Sequence, residues 1–174
     1  MKILFIGDVV GKSGRRALRR FLPELQDETE ADLTVVNAEN AAGGFGVTAG
    51  VLEEFLEQSE IDVLTSGNHI WDKREALDLI QDEPRLLRPH NYPEDTPGSG
   101  WIVATASNGV RVGVLNIMGT VFMHPTLDCP FSSANLAIEK KPSDVHAVLV
   151  DFHAEATSEK VAMGWYLDGR VSAV

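Results

Sequence analysis

"KILFIGDVVGKSGRR", residues 2–16, runs an apolar stretch, Ile3 to Ile6, into a glycine-rich loop that carries one acid, Asp8. An apolar run of this length stopped by glycine reads as a buried strand, and the helical spacing that follows Gly14 makes the whole a strand, loop and helix unit. The loop resembles a phosphate-binding P-loop but does not meet its pattern. That pattern needs four residues between its first Gly and its Gly-Lys-Ser, so that successive backbone N–H groups wrap a phosphate. Only Asp8, Val9 and Val10 separate Gly7 from Gly11, and the first of them is an acid that repels the anion. The stretch therefore opens an α/β fold with a carboxylate where the first strand runs out.

Outward from there, apolar runs of strand length alternate with helical stretches, which predicts a single α/β domain. Strands are expected near 2–7, 33–37, 61–65, 101–105, 111–117, 145–151 and 170–174. Helices are expected over 14–27, over 48–59 with Thr48 as N-cap, from Asp72 onward, over 132–140 and over 156–167. Asp72 is read as the cap of its helix, with Glu75 reaching back and Pro84 beyond the end. Asp168-Gly169 is a helix stop. Residues 84–100, with four prolines, read as a connection across one end of the domain. The absence of a long helix between 101 and 117 points to a mixed or second sheet.

The 174 residues suffice for one well-buried core. A hydrophobic share of 44% and a charged share of 24% are those of a folded, soluble protein. The apolar N-terminal run is far too short to span a bilayer, so no membrane partner is expected. The single Cys129 fits a reducing cytoplasm. A net charge of −11 argues against wrapping long nucleic acid, but not against a small phosphorylated substrate, because a bound metal reverses the local field.

Polar residues fall where strands end. Asp8 follows the first strand, Glu39 and Asn40 the second, Asn68 and His69 the third, and Asp151 and His153 close the 145–151 run. In open α/β sheets ligands bind beyond the carboxyl ends of the strands. Singly, Asp8 could cap a helix, Glu39-Asn40 could shape a turn, Asn68-His69 could pair within a loop and His153 could lie on the surface. Together, four segments aim metal-ligand residue types at one place. Oxygen and nitrogen donors without thiolate suit iron, manganese or zinc, and their number suggests two ions clamping a phosphoryl group.

"GDVVGKSGR", "NAENAAGGFG", "SGNHIWD" and "DFHAEATSEK" resemble the sequence blocks of the calcineurin-like metallophosphoesterases, most closely the bacterial YmdB-type phosphodiesterases. The resemblance implies a sandwich of two β-sheets flanked by helices, a dinuclear centre of iron, manganese or zinc, and hydrolysis of cyclic nucleotides such as 2',3'- or 3',5'-cyclic AMP. It implies Asp8 as ligand of one ion, Glu39 as the bridging carboxylate, and Asn68 and His153 as ligands of the other. Asn40 is implied as a ligand or a hydrogen-bond donor beside the site, and His69 as the group that protonates the leaving oxygen. Family members commonly self-associate, so a homo-oligomer is expected.

One departure stands out. The family completes its centre with a later pair of histidines separated by one residue, and this sequence has none. His90, His124 and His146 are isolated, and each reads as a surface or hydrogen-bonded histidine. The domain over 1–174 is therefore expected to be C-terminally incomplete. Phe45, Trp71 and Phe122 could stack on a base or pack in loops. The glycines at 43, 44 and 46 allow close backbone approach to substrate, or a tight turn into the next helix. The alternative function is a non-catalytic nucleotide-binding α/β module, regulatory or scaffolding, with the Gly7–Gly14 loop meeting a phosphate at a helix N-terminus.

Overall fold

Successive side chains of a strand point to opposite faces, and the central strands here are buried on both. The computed structural model describes all 174 residues and contains two three-stranded sheets. In the first, β1 (Ile3–Ile6), β2 (Leu33–Asn37) and β3 (Val63–Thr65) are parallel in that order. In the second, β4 (Trp101–Thr105) and β5 (Arg111–Met118) form an antiparallel hairpin, and β6 (Ala147–His153) lies parallel to β5. Helix α1 (Gly11–Thr29) crosses from β1 to β2. Helix α2 (Ala49–Glu53), capped by Thr48 and prolonged by a wider turn over Glu54–Gln58, crosses from β2 to β3. Helix α3 (Ala76–Asp82) follows β3, α4 (Pro130–Glu139) joins β5 to β6, and α5 (Thr157–Leu167) follows β6.

Leu33, Val35 and Val63 of the first sheet meet Val112, Val114, Ala147 and Leu149 of the second. Val36 and Leu64 point the other way, onto Leu18 and Leu22 of α1, Val51 of α2 and Phe55 of the turn that follows it. Leu115, Ile117, Val148 and Val150 turn outward onto α4 and α5. The layers are thus helix, sheet, sheet, helix, the sandwich that the sequence blocks implied. Full burial of each such side chain stabilises by roughly 1.5–3 kcal/mol, so the two sheets are locked to one another and not merely tethered.

The inter-sheet face turns polar at a single level. Asn37, Thr65, Asn116 and Asp151 each lie two residues beyond one of those apolar positions, on the same face. The Asn37 amide donates to Asp151 Oδ2 at 3.0 Å, and the Thr65 hydroxyl donates to the same oxygen. Asn116 reaches across to pair with both the N–H and the carbonyl of Ser66, each at 2.9 Å. Buried polar groups must be satisfied, and these satisfy one another across the sheets. The layer fixes the ends of β2, β3, β5 and β6 relative to each other just below the loops that carry Glu39, Asn68 and His69.

Several local expectations are corrected. Asp72 caps no helix: α3 begins at Ala76, and the Asp72 carboxylate is drawn instead to His69. Glu75 does not reach back; it accepts from the Ala49 N–H at 2.9 Å and so ties α3 to α2. Residues 170–174 form no strand, only a bridge between Ala173 and Leu149. Helix α1 starts at Gly11, where a φ of +57° suits glycine, and Asp8 does not cap it. No helix is long and apolar enough to cross a membrane.

Candidate metal centre

Parallel strands deliver their carboxyl ends side by side, and short cross-ties hold the loops beyond them. Val9 N–H donates to the Asn37 carbonyl at 3.0 Å, Gly11 N–H to the Asn40 carbonyl at 2.8 Å, and Ala38 N–H to the Thr65 carbonyl at 2.9 Å. Asp8, Glu39, Asn40, Asn68 and His153 are thereby gathered into one hydrogen-bonded cluster. The Asn40 amide donates to Asp8 Oδ2 at 2.6 Å and to Glu39 Oε1 at 3.0 Å. His153 Nε2 lies 3.2 Å from Glu39 Oε1 and 3.1 Å from Asn68 Oδ1. All five residues singled out as ligands in the sequence thus meet, although they come from four segments of the chain.

His69 stands at the edge. Its backbone N–H points at Glu39 Oε2 from 3.5 Å, and its Nδ1 lies 2.7 Å from Asp72 Oδ2. The ring also packs against Phe45, with centroids 5.0 Å apart, and Phe45 is 54% exposed. Asp72 is a functional candidate that sequence reasoning assigned to the wrong task. Its only sequence signal is the spacing of three residues from His69.

Gly67 is a second residue missed. A Cβ there would lie 2.1 Å from Glu39 Oε2 and 2.4 Å from His153 Nε2, so only glycine lets those two side chains close over the β3 loop. Glu159 of α5 is a third. Its buried carboxylate accepts from the N–H groups of Thr120 and Val121 and holds the loop after β5, whose Gly119 N–H donates to the His153 carbonyl at 2.9 Å.

Burial dominates the electrostatics of the cluster. It pushes the Glu39 carboxyl up to about 7, more than the nearby His69 and the Asn40 amide offset. Burial likewise pushes His153 down to about 4, which keeps its imidazole neutral, as a ligand must be. Burial also raises Asp151, whose bonds from Thr65 and Asn37 only partly offset it. No three His, Cys, Asp or Glu side chains form an ion-sized cage by themselves. With the amides of Asn40 and Asn68 counted, the set of two carboxylates, two amides and one imidazole has the donor chemistry that suits hard or borderline metal ions.

His90, His124 and His146 lie outside this cluster. Compared with known proteins, residues 4–174 match the family model described as YmdB-like protein. The chain belongs to the YmdB-like family. It is 47% identical over all 174 residues to the 2',3'-cyclic-nucleotide 2'-phosphodiesterase of Bacillus subtilis, and covers 65% of that protein. A crystal structure of a hypothetical protein from Thermus thermophilus superposes with a TM-score of 0.91 at 41% identity, with 100% of this chain and 66% of the other covered. A Mycoplasma pneumoniae structure described as a novel phosphatase gives 0.89 at 33% identity, covering 99% of this chain and 62% of the other. The chain spans just under two thirds of the length of the relatives it matches. The superposition on these solved structures agrees with the two-sheet sandwich described above.

Proposed function

We propose that the chain carries the metal centre of a phosphodiesterase acting on small phosphoesters, cyclic nucleotides foremost. The observation that supports this best is the convergence of Asp8, Asn40, Asn68 and His153 around the buried Glu39, with a histidine held by a carboxylate at the rim. Those five would hold two ions, iron in the first instance with manganese or zinc as alternatives. Glu39, central among them, would be shared. When bound, such ions neutralise charge on phosphoryl oxygens and lower the pKa of bound water.

The remaining chemistry belongs to the chain. Asp72 fixes the His69 ring through Nδ1, which leaves Nε2 as the nitrogen able to exchange a proton with substrate. His69 then supplies a proton to the departing oxygen, a task worth about 10²–10⁴-fold in rate. The name of the Bacillus subtilis relative supports a 2',3'-cyclic nucleotide as the substrate. The single cysteine supports a cytoplasmic setting, and the exposed Val161 and Trp165 on α5 support self-association.

The test combines metal content with turnover. Protein purified without chelator, in the longest native form that contains this chain, is expected to carry metal ions and to hydrolyse a 2',3'-cyclic nucleotide, with both properties lost on chelation and restored by added iron or manganese. Hydrolysis that persists at full rate in metal-free protein would sink the reading. His69→Ala is expected to lower kcat by about 10²-fold or more with metal content unchanged. Loss of metal in that variant would make His69 a ligand instead. Asp72→Asn should lower kcat by a smaller factor, about tenfold, and leave KM unaltered.

A further inference from the structure

Phe45, Trp71 and Phe122 are the aromatic residues that could meet a base, and the structure separates the first from the other two. Trp71 turns inward, packing against the core that joins the first sheet to α1 and α2 and meeting the Tyr92 ring edge-on with centroids 5.8 Å apart. Phe122 is exposed but has no ring contact with His69. Phe45 stands directly against it. The two ring centroids are 5.0 Å apart with the planes tilted by 57°, and more than half of Phe45 stays open to solvent.

The loop that carries Phe45 is fixed to the same wall as His69. Ala42 N–H donates to the Gly46 carbonyl at 3.0 Å, which closes the loop around Phe45. Ala41 and Val47 at its two ends are fully buried. Gly46 backs onto the turn of His69 so closely that a Cβ there would lie 3.2 Å from the His69 carbonyl oxygen and 2.9 Å from Lys73 Cγ. The ring is therefore held beside the imidazole while one part of it faces outward, and a fixed, open aromatic face is a surface on which a flat ring stacks.

The chemistry of a 2',3'-cyclic nucleotide says where that flat ring falls. Its base is carried on the carbon next to the one that bears the 2' oxygen, and lies one carbon further from the 3' oxygen. His69, its Nδ1 held by Asp72, faces the departing oxygen. A platform touching His69 thus lies nearest the base when the 2' oxygen departs. We infer that Phe45 is the base platform of this site and that it selects the 2' oxygen as the leaving group. This rests on the phosphodiesterase reading above. In the step, the oxygen of water bonds to phosphorus, the bond from phosphorus to the 2' oxygen breaks with its electron pair on that oxygen, and His69 gives it a proton. The proton shed by the water returns to His69 through solvent, and the product is a nucleoside 3'-phosphate.

The test compares substrates with and without a base, in the longest native form that contains this chain. Phe45→Ala should lower kcat/KM for adenosine 2',3'-cyclic phosphate about tenfold or more, mainly through KM, and release a mixture of 2'- and 3'-phosphates where the parent releases the 3'-phosphate. Turnover of glycerol 1,2-cyclic phosphate, which has no base, should stay within about twofold of the parent. Phe45→Tyr should restore both the nucleotide rate and the single product. Apart from turnover, adenosine 3'-phosphate should bind the parent at least about tenfold more tightly than ribose 3-phosphate, and Phe45→Ala should erase that difference. Equal losses on both substrates would reduce Phe45 to a support for the His69 ring and overturn the proposal. An unchanged product ratio with unchanged affinity would overturn it too. A parent that hydrolyses neither substrate would tell against the phosphodiesterase reading instead, and the binding comparison would then decide the platform alone.

Discussion

Glu39→Gln is expected to stabilise the metal-free protein at pH 8 by about 2–3 kcal/mol while lowering phosphodiester hydrolysis at least about 100-fold. Glu39 is 2% exposed, and burial holds its carboxyl up to about 7, against an ordinary 4.5. The folded state therefore binds this proton more tightly than the unfolded state does. Stability from this group is fully present below pH 4.5 and is lost as pH rises through 7, where a buried carboxylate without a cation must form. Glutamine copies the protonated shape. Its carbonyl can keep the Asn40 contact at 3.0 Å and the His153 contact at 3.2 Å, and its NH₂ then falls opposite the His69 N–H, where the native contact is longest at 3.5 Å.

The check is urea unfolding of both proteins in chelator at pH 4.5 and pH 8. The gain should vanish at the lower pH, where glutamate and glutamine are both neutral. Because the comparison is made at each pH, the opposite trend from His153, which loses stability as pH falls from 6.5 toward 4, cancels between the two proteins. A variant less stable than the parent at pH 8 would show that the carboxylate is compensated within the chain and is not waiting for a cation. The trade of stability for function is common where a site is built to hold charge.

The ends of strands were legible in the sequence because an apolar run closed by a polar residue is a local pattern. That pattern named Asp8, Glu39, Asn40, Asn68, His69, Asp151 and His153; the resemblance implied which five would be ligands, and the structure links those five by hydrogen-bond contacts. The polar layer beneath them was equally present in the sequence but harder to read. Asn37, Thr65 and Asn116 occupy positions whose face is decided only once the second sheet covers the first. Asp72 shows the limit of local rules. An acid three residues ahead of a glutamate fits a capping box, yet His69 competes for the carboxylate and the helix starts later, at Ala76. The 170–174 run failed for a related reason: its apolar residues contribute only one bridge, at Ala173, to the edge of β6.

Gly67→Ala is expected to lower kcat by about 10²-fold or more and to destabilise the fold by about 1–3 kcal/mol, although it adds a single methyl group. The reason is space and not backbone freedom, since the φ of Gly67 is −150°. The added Cβ would lie 2.1 Å from Glu39 Oε2, 2.3 Å from His153 Cδ2 and 2.4 Å from His153 Nε2. Something must move, and the backbone around Gly67 is poorly placed to do so. Thr65 holds the Ala38 N–H through its carbonyl, and both backbone groups of Ser66 are paired with the Asn116 amide. The displacement therefore falls on Glu39 and His153, the two side chains whose 3.2 Å approach joins the β2 end of the cluster to the β6 end. Spreading them by about 1 Å is enough to spoil a site that depends on positioned ligands. Metal content measured beside kcat separates the outcomes: reduced metal with slow turnover places the damage at the centre itself. Parent-like turnover with parent-like metal would mean that Glu39 and His153 do not act together.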